Sequence, residues 1–319
     1  MKRLAIYLAV TFGLTWGVII PAGVALGAFE YGEAAVPAMV GIIGLSMFFP
    51  LVGAIVANLV CKRDGSFSSS DGSLSTGDGS FCKRDGGFDL CWKPRIRGNM
   101  RRYLAAWLGT IAVAAVGTAL YFALNPQLFD PSLQSYIASL AASTGLPVDQ
   151  LTATMPQGPA MLAGIIAFSV VFAPFINMIP AFGEELGWRG MLFPALAERT
   201  SPRSAALISG VIWGLWHAPV IAMGHNYGMG YDGFPVAGIL TMIVACTALG
   251  MFLSYLRMRS GSVWPCALAH GAFNAVANIG LLFCVTGQSL FGPSPLALVA
   301  GIPVLVLGIV CWLRLPRVA

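Results

Sequence analysis

Apolar residues gather in eight long runs, at 4–28, 35–60, 103–124, 159–182, 205–223, 235–256, 263–285 and 294–313. A helix crossing a bilayer core needs roughly 20 apolar residues, so each run is a candidate span. The strands of a transmembrane barrel would instead alternate in segments of about ten residues. The pattern therefore predicts an all-α fold, a polytopic membrane bundle of about eight transmembrane helices. The first run is longer than the apolar stretch of roughly 7–15 residues in a signal peptide, so it reads as a retained first helix. Between the third and fourth runs, "PSLQSYIASLAAS" predicts a short surface helix.

Composition agrees with this reading. Of 319 residues, 57% are hydrophobic and 10% charged, against about 45–50% and 25% in soluble domains. Charge then supplies an orientation. With eight spans and the N-terminus inside, all 18 Lys and Arg fall in inner segments, as the positive-inside rule requires. The outer segments hold Glu30, Glu33, Asp130, Asp149 and Asp232 instead. The expectation is a multi-pass protein of the plasma (cytoplasmic) membrane with both termini cytoplasmic. The net charge of +5 reflects this topology and gives no reason to expect a nucleic-acid partner. The seven cysteines form no CxxC or Cys/His cluster. Those of the first inner loop are expected to be free thiols in a reducing compartment.

That first inner loop carries a unit of Asp-Gly-Ser/Gly-Phe/Leu at residues 64, 71, 78 and 85. A Gly in each unit and one apolar residue in seven exclude a coiled coil. Asp-Gly marks turns, so the loop reads as flexible and turn-rich. The basic stretch "WKPRIRGNMRRY" that follows reads as a positive anchor for the third span. The chain is thus a single membrane domain over 1–319. It has a low-complexity heptad-repeat cytoplasmic loop at 61–92 and a motif-bearing core at 159–285.

Ionisable residues within a bilayer cost at least about 2.5–3.5 kcal/mol each, so they point to function. "FGEELGWRGML" places Glu184, Glu185 and Arg189 at the end of the fourth run. Glu185 and Arg189 are spaced i,i+4 with the acid first, the favourable order for an ion pair on a helix. Glu184 is rotated about 100° from Glu185 and faces another neighbour. Trp213 and His217 are again i,i+4, and the indole is expected to pack beside the imidazole. His270, Asn274 and Asn278 form a polar stripe on the seventh run. On helical rise, Glu184, His217 and His270 are expected to meet in the inner half of the bilayer, in a cavity open to the cytosol. One carboxylate, two imidazoles and an amide suit water activation. Glu184 would be the general base, His217 would hold the water or carry a proton, and His270 and Asn274 would donate to an oxyanion. Zinc is the alternative, held by Glu184, His217 and His270 with an open fourth position. The residues alone do not separate these two. His225 reads as an ordinary loop residue, and Gly210 with Gly214 as a close helix-packing motif.

"EELGWR", "WGLWH" and "HGAFN" resemble the EExxxR, FxxxH and HxxxN motifs of the CPBP intramembrane proteases. That family includes type II CAAX prenyl endopeptidases, bacteriocin-processing enzymes and Abi proteins. The motifs stand in the family's order on three separate helices, within about 159–285. The resemblance implies an intramembrane endopeptidase with a cytosol-facing cavity. Its substrate would be a membrane-associated peptide, either a CAAX-type prenylated tail or a leader or bacteriocin-like peptide. Catalytic roles would fall to Glu184, His217, His270 and Asn274, with Glu185, Arg189 and Trp213 supporting. Trp213 stands where the motif has Phe. The family has been described both as metalloproteases and as glutamate proteases, and the metal-free version is the expectation here. Two other readings are a non-catalytic membrane immunity or scaffold protein and a small-molecule transporter. Polar residues occur in the fourth, fifth and seventh runs without a matching set in the first three, so no internal repeat supports a transporter.

Overall fold

The computed structural model describes residues 1–32, 37–63, 75–76, 79–80, 90–154 and 159–317. It is an all-helical membrane bundle, apart from a small pairing of Ser75–Thr76 with Gly79–Ser80. Most of the heptad-repeat loop at 61–92 lies outside the described residues, as does Glu33.

Ten helices frame the bundle: α1 (Lys2–Ala25), α2 (Pro37–Ser46), α3 (Phe49–Arg63), α4 (Met100–Leu124), α5 (Pro159–Val171), α6 (Ala173–Gly187), α7 (Pro202–Trp216), α8 (Val236–Ser260), α9 (Trp264–Val276) and α10 (Ile302–Leu313). The surface helix expected after the third run forms over Gln134–Thr144. Five stretches are long and apolar enough to cross a membrane, and α5 with α6 makes a sixth if that bent pair is one span. The expected count of eight is not confirmed among the described residues. The fifth and eighth apolar runs yield helices of only 15 and 12 residues, because His217 ends α7 and the eighth run enters α10 only at Ile302.

α8 and α9 are the inner helices, with 56% and 61% of their spanning windows buried, against 22–28% for α1, α2–α3 and α4. Two close approaches set their positions. A Cβ on Gly210 would stand 2.6 Å from the Cα of Thr247, and one on Gly214 would strike Ile243, so α7 lies directly on α8. A Cβ on Gly271 would meet the Met178 amide nitrogen at 2.5 Å, which brings α9 against α6. The outer surface carries apolar side chains such as Leu45, Leu59, Ile179 and Val236, all more than half exposed. In water this belt would be costly; against lipid it is not.

A bend of 42° separates α5 from α6. Pro174, in the first turn of α6, has no N–H to continue the ladder and disfavours helical geometry in the residue before it. Beyond Gly187 the helix widens into a π turn at Trp188–Leu192 before Phe193–Ala197. Such turns are frequent at functional sites.

The basic ends of the helices lie together. A strap at residues 90–99 crosses the α8–α9 turn, where the Val263 amide donates to the Cys91 carbonyl at 3.1 Å and the Ser262 hydroxyl to the Lys93 carbonyl at 2.7 Å. Asn99 donates to the Ser260 carbonyl at 3.2 Å. Arg257, fully buried, donates from Nη2 to the Cys91 sulfur at 2.6 Å and from Nε to the Arg189 carbonyl at 3.2 Å. Cys91 is disulfide-bonded, which corrects the expectation of free loop thiols at that residue. At the opposite end, the Phe129–Cys284 bridge and the bond from the Asp130 amide to the Phe283 carbonyl tie the loop after α4 to the segment after α9.

Candidate active site

Glu184, His217, His270 and Asn274 come from α6, the end of α7, and α9, and all four line one cavity of ≈ 370 Å³. Asn278 lines it too. Glu184 is 2% exposed and His270 4%. Both are held by buried partners.

Glu184 Oε2 accepts the indole N–H of Trp213 at 2.8 Å and that of Trp188 at 3.1 Å. A buried carboxylate needs donors of this kind. Behind it, Glu185 Oε1 accepts from Arg189 Nη1 at 2.9 Å and from His270 Nδ1 at 3.0 Å. The expected Glu185–Arg189 pair is therefore present, and it extends to a third residue that sequence spacing did not reveal. The Arg189 guanidinium also lies 4.4 Å from the Trp213 ring centroid, a cation–π contact.

The Trp213 ring lies beside that of His217 as expected, tilted by 58° with centroids 6.0 Å apart, and it also meets His270 edge-on at 5.2 Å. His217 is held by the Trp213 backbone as well, with Nδ1 2.9 Å from that carbonyl oxygen. A carbonyl only accepts, so Nδ1 carries the proton and Nε2 keeps its lone pair. The same logic puts a proton on His270 Nδ1, which faces a carboxylate.

Three contributors escaped the sequence reading. Trp188 shares the i,i+4 spacing with Glu184 that Arg189 has with Glu185, so that signal was present. Asn177 and Cys246 line the cavity, and the Cys246 sulfur lies 3.8 Å from His217 Nδ1. Nothing in their local sequence marks either. His225, expected to be an ordinary loop residue, also lines the cavity.

A zinc site on Glu184, His217 and His270 needs three donors converging at about 2 Å. Among the described residues, no three His, Cys, Asp or Glu side chains are grouped to hold a metal. Both imidazoles turn Nδ1 to protein acceptors and keep Nε2 free, an orientation that metal-bound histidines share. Because no three donors are grouped to hold a metal among the described residues, no step is derived through one.

The cavity walls run from Glu184 past Ile19, Val40 and Val220 to His225 and Asn226, residues that lie toward the helix ends that carry no Lys or Arg.

Residues 151–276 match the family described as type II CAAX prenyl endopeptidase Rce1-like. A "CAAX prenyl protease 2" of Methanococcus maripaludis is 35% identical over 106 residues, which is 33% of this chain. The match spans about a third (36%) of that relative's length. The segment matched to the Rce1-like family model thus carries Glu184, His217, His270 and Asn274, and the chain is similar there to type II CAAX prenyl endopeptidases.

Proposed function

We propose that the chain is an intramembrane endopeptidase that hydrolyses a peptide bond of a membrane-associated substrate, with Glu184 as the water-activating base. One observation carries this reading. A carboxylate fixed by two indole N–H groups shares a single cavity with two oriented imidazoles and an amide.

In the proposed reaction, Glu184 Oε1 takes the proton of a water whose oxygen attacks the peptide carbonyl carbon. His217 Nε2 accepts the water's other hydrogen and aims its lone pair. Asn274 Nδ2 donates to the tetrahedral oxyanion. His270 joins it through Nε2–H. Because Nδ1–H is already given to Glu185, this requires the imidazolium form, which the Glu185 carboxylate neutralises. Collapse of the intermediate breaks the C–N bond, and Glu184 returns its proton to the leaving nitrogen. Arg189 holds Glu185, and Trp188 and Trp213 hold Glu184. The protein would sit in the plasma membrane with its basic helix ends and both termini in the cytoplasm, following the distribution of Lys and Arg.

The test uses the chain reconstituted in liposomes with two internally quenched peptides, one ending in a prenylated CAAX-type tail and one unprenylated. Glu184→Gln should lower kcat/KM by about 10²–10⁴-fold while the protein remains folded by circular dichroism. Wild-type turnover unchanged by a zinc chelator is the expected companion result. A Glu184→Gln chain that cleaves at the wild-type rate would refute the assignment.

A further inference from the structure

Amides of Asn177, Asn226 and Asn278 line the cavity and have no part in the proposed reaction. Asn177 is the one whose orientation its own helix fixes. Its Nδ2 donates to the Ala173 carbonyl at 2.9 Å, one turn earlier on α6. A carbonyl only accepts, so the amide turns its nitrogen to Ala173 and its Oδ1 away. Among the described residues that oxygen takes no hydrogen bond from the protein. Within a bilayer, an acceptor without a protein partner is tolerated where it faces a hydrated or occupied cavity.

Its position relates it to the proposed base. Asn177 and Glu184 are seven residues apart on α6, which continues through Pro180 between them. Seven residues turn about 700°, close to two full turns, and rise about 10.5 Å. Asn177 and Glu184 therefore share one face of α6. The turn that carries Asn177 is also locked to α9. A Cβ on Gly271 would stand 2.6 Å from the Pro174 carbonyl oxygen and 2.5 Å from the Met178 amide nitrogen, and Gly271 is next to His270. α6 leads to the strap and α9 leaves it, since Gly190 lies against Leu90 and the Val263 amide binds the Cys91 carbonyl. The two helices are thus antiparallel. Asn177 lies beyond Glu184, and Asn274 beyond His270, both on the side away from the strap.

The wall between them narrows the occupant. Glu184 is the only Asp, Glu, Lys or Arg lining the cavity among the described residues, and side chains such as Ile43, Met242 and Phe273 line it as well. An acceptor in such a wall suits a neutral donor. A peptide N–H is the donor that every residue except proline offers. An extended chain advances about 3.3 Å per residue, so the rise from Glu184 to Asn177 spans about three residues.

We propose that Asn177 is a substrate-binding residue whose Oδ1 accepts a main-chain N–H of an extended peptide, about three residues from the scissile bond. The site would read backbone there rather than side chain, and would reject proline at that one position. This rests on the endopeptidase reading for the scissile bond. The binding contact itself is tested without cleavage.

The experiment uses the chain in liposomes and the two peptides of the activity assay, each made also as a set of copies with one N-methylated amide. Affinity is read on the Glu184→Gln chain, and kcat and KM on the chain with Glu184. With Asn177 present, methylation of one particular amide should weaken binding about five- to tenfold. In Asn177→Leu, and in the smaller change Asn177→Ala, the unmethylated peptide should bind about five- to tenfold less tightly, and methylation of that amide should cost nothing further. KM should rise by the same factor with kcat little changed. A merely structural role would weaken every copy equally and leave the methylation penalty in place. A penalty that persists in both variants, or peptides that bind no better with Asn177 than without it, would overturn the proposal. If the binding pattern holds while the chain with Glu184 does not cleave, the peptide subsite stands and the endopeptidase reading falls.

Discussion

At the scale of single residues, Trp213 joins the two carboxylates. Its indole N–H binds Glu184 while its ring lies against the Arg189 guanidinium that holds Glu185. Where the resembling motif has Phe, this chain has gained a donor to the proposed base. A hydrogen bond to a charged group contributes about 1.5–3 kcal/mol. Trp213→Phe should therefore lower kcat/KM by about ten- to a hundredfold with little change in KM. An unchanged rate would show that Trp188 alone suffices. Glu185→Gln should cost about 3–5 kcal/mol of stability, because it leaves buried Arg189 uncompensated. Adding Arg189→Met should recover much of the melting temperature and none of the activity, since His270 stays without its carboxylate; recovery of activity would contradict that positioning role. The local pairs were readable because i,i+4 spacing is a property of the helix itself. The bond between Glu185 and His270 joins residues 85 apart in sequence and exists only once α6 and α9 pack.

At the scale of elements, glycine spacing was the most legible signal. Gly210 and Gly214 predict a close crossing, and they face α8. Gly214→Leu should drive α7 off α8 and lower thermal stability well beyond Gly164→Leu, where a Cβ meets nothing within 4 Å; equal melting temperatures would exclude the crossing. The break at Phe172 was harder to read. Averaged hydropathy runs through it without a dip, and only Pro174 marks the place. Outside the spans, Asp130 accepts from the Ser132 hydroxyl and from the Ser132 and Ser135 amides, leading into the Gln134–Thr144 helix. Those donors hold its carboxyl below the usual aspartate range. A depressed value means the contribution is whole above that range and fades as pH falls through the folded value. Protection of the helix amides against exchange, relative to the intrinsic rate at each pH, should fall on acidification, and in Asp130→Asn should already be low at neutral pH. Identical protection in the two chains would discount the contacts.

At the scale of the whole molecule, the belt of exposed Leu, Ile, Val and Phe places the chain in the bilayer. It should stay with membranes through an alkaline carbonate wash and leave only with detergent; release by carbonate alone would contradict integral insertion. Hydropathy found every apolar run, but it cannot see a run broken by a turn. α7, with 15 residues, extends about 22 Å, short of a bilayer core of roughly 30 Å. Sequence also could not show the packing near the basic helix ends, since that buries Tyr7, Trp188, Arg257 and Leu90 from four distant segments. The strap at 90–99 has a consequence for how such a chain can change over time. It moors the far side of the first inner loop beside Gly190 and the α8–α9 turn, while α3 moors the near side at Arg63. Closure entropy grows only with the logarithm of length, so adding one more seven-residue unit between those moorings costs about 0.2 kcal/mol. Slippage during replication of a repeat would then pass almost unselected, and the strap is what lets the length of that segment drift while Glu184 and α6 stay in place.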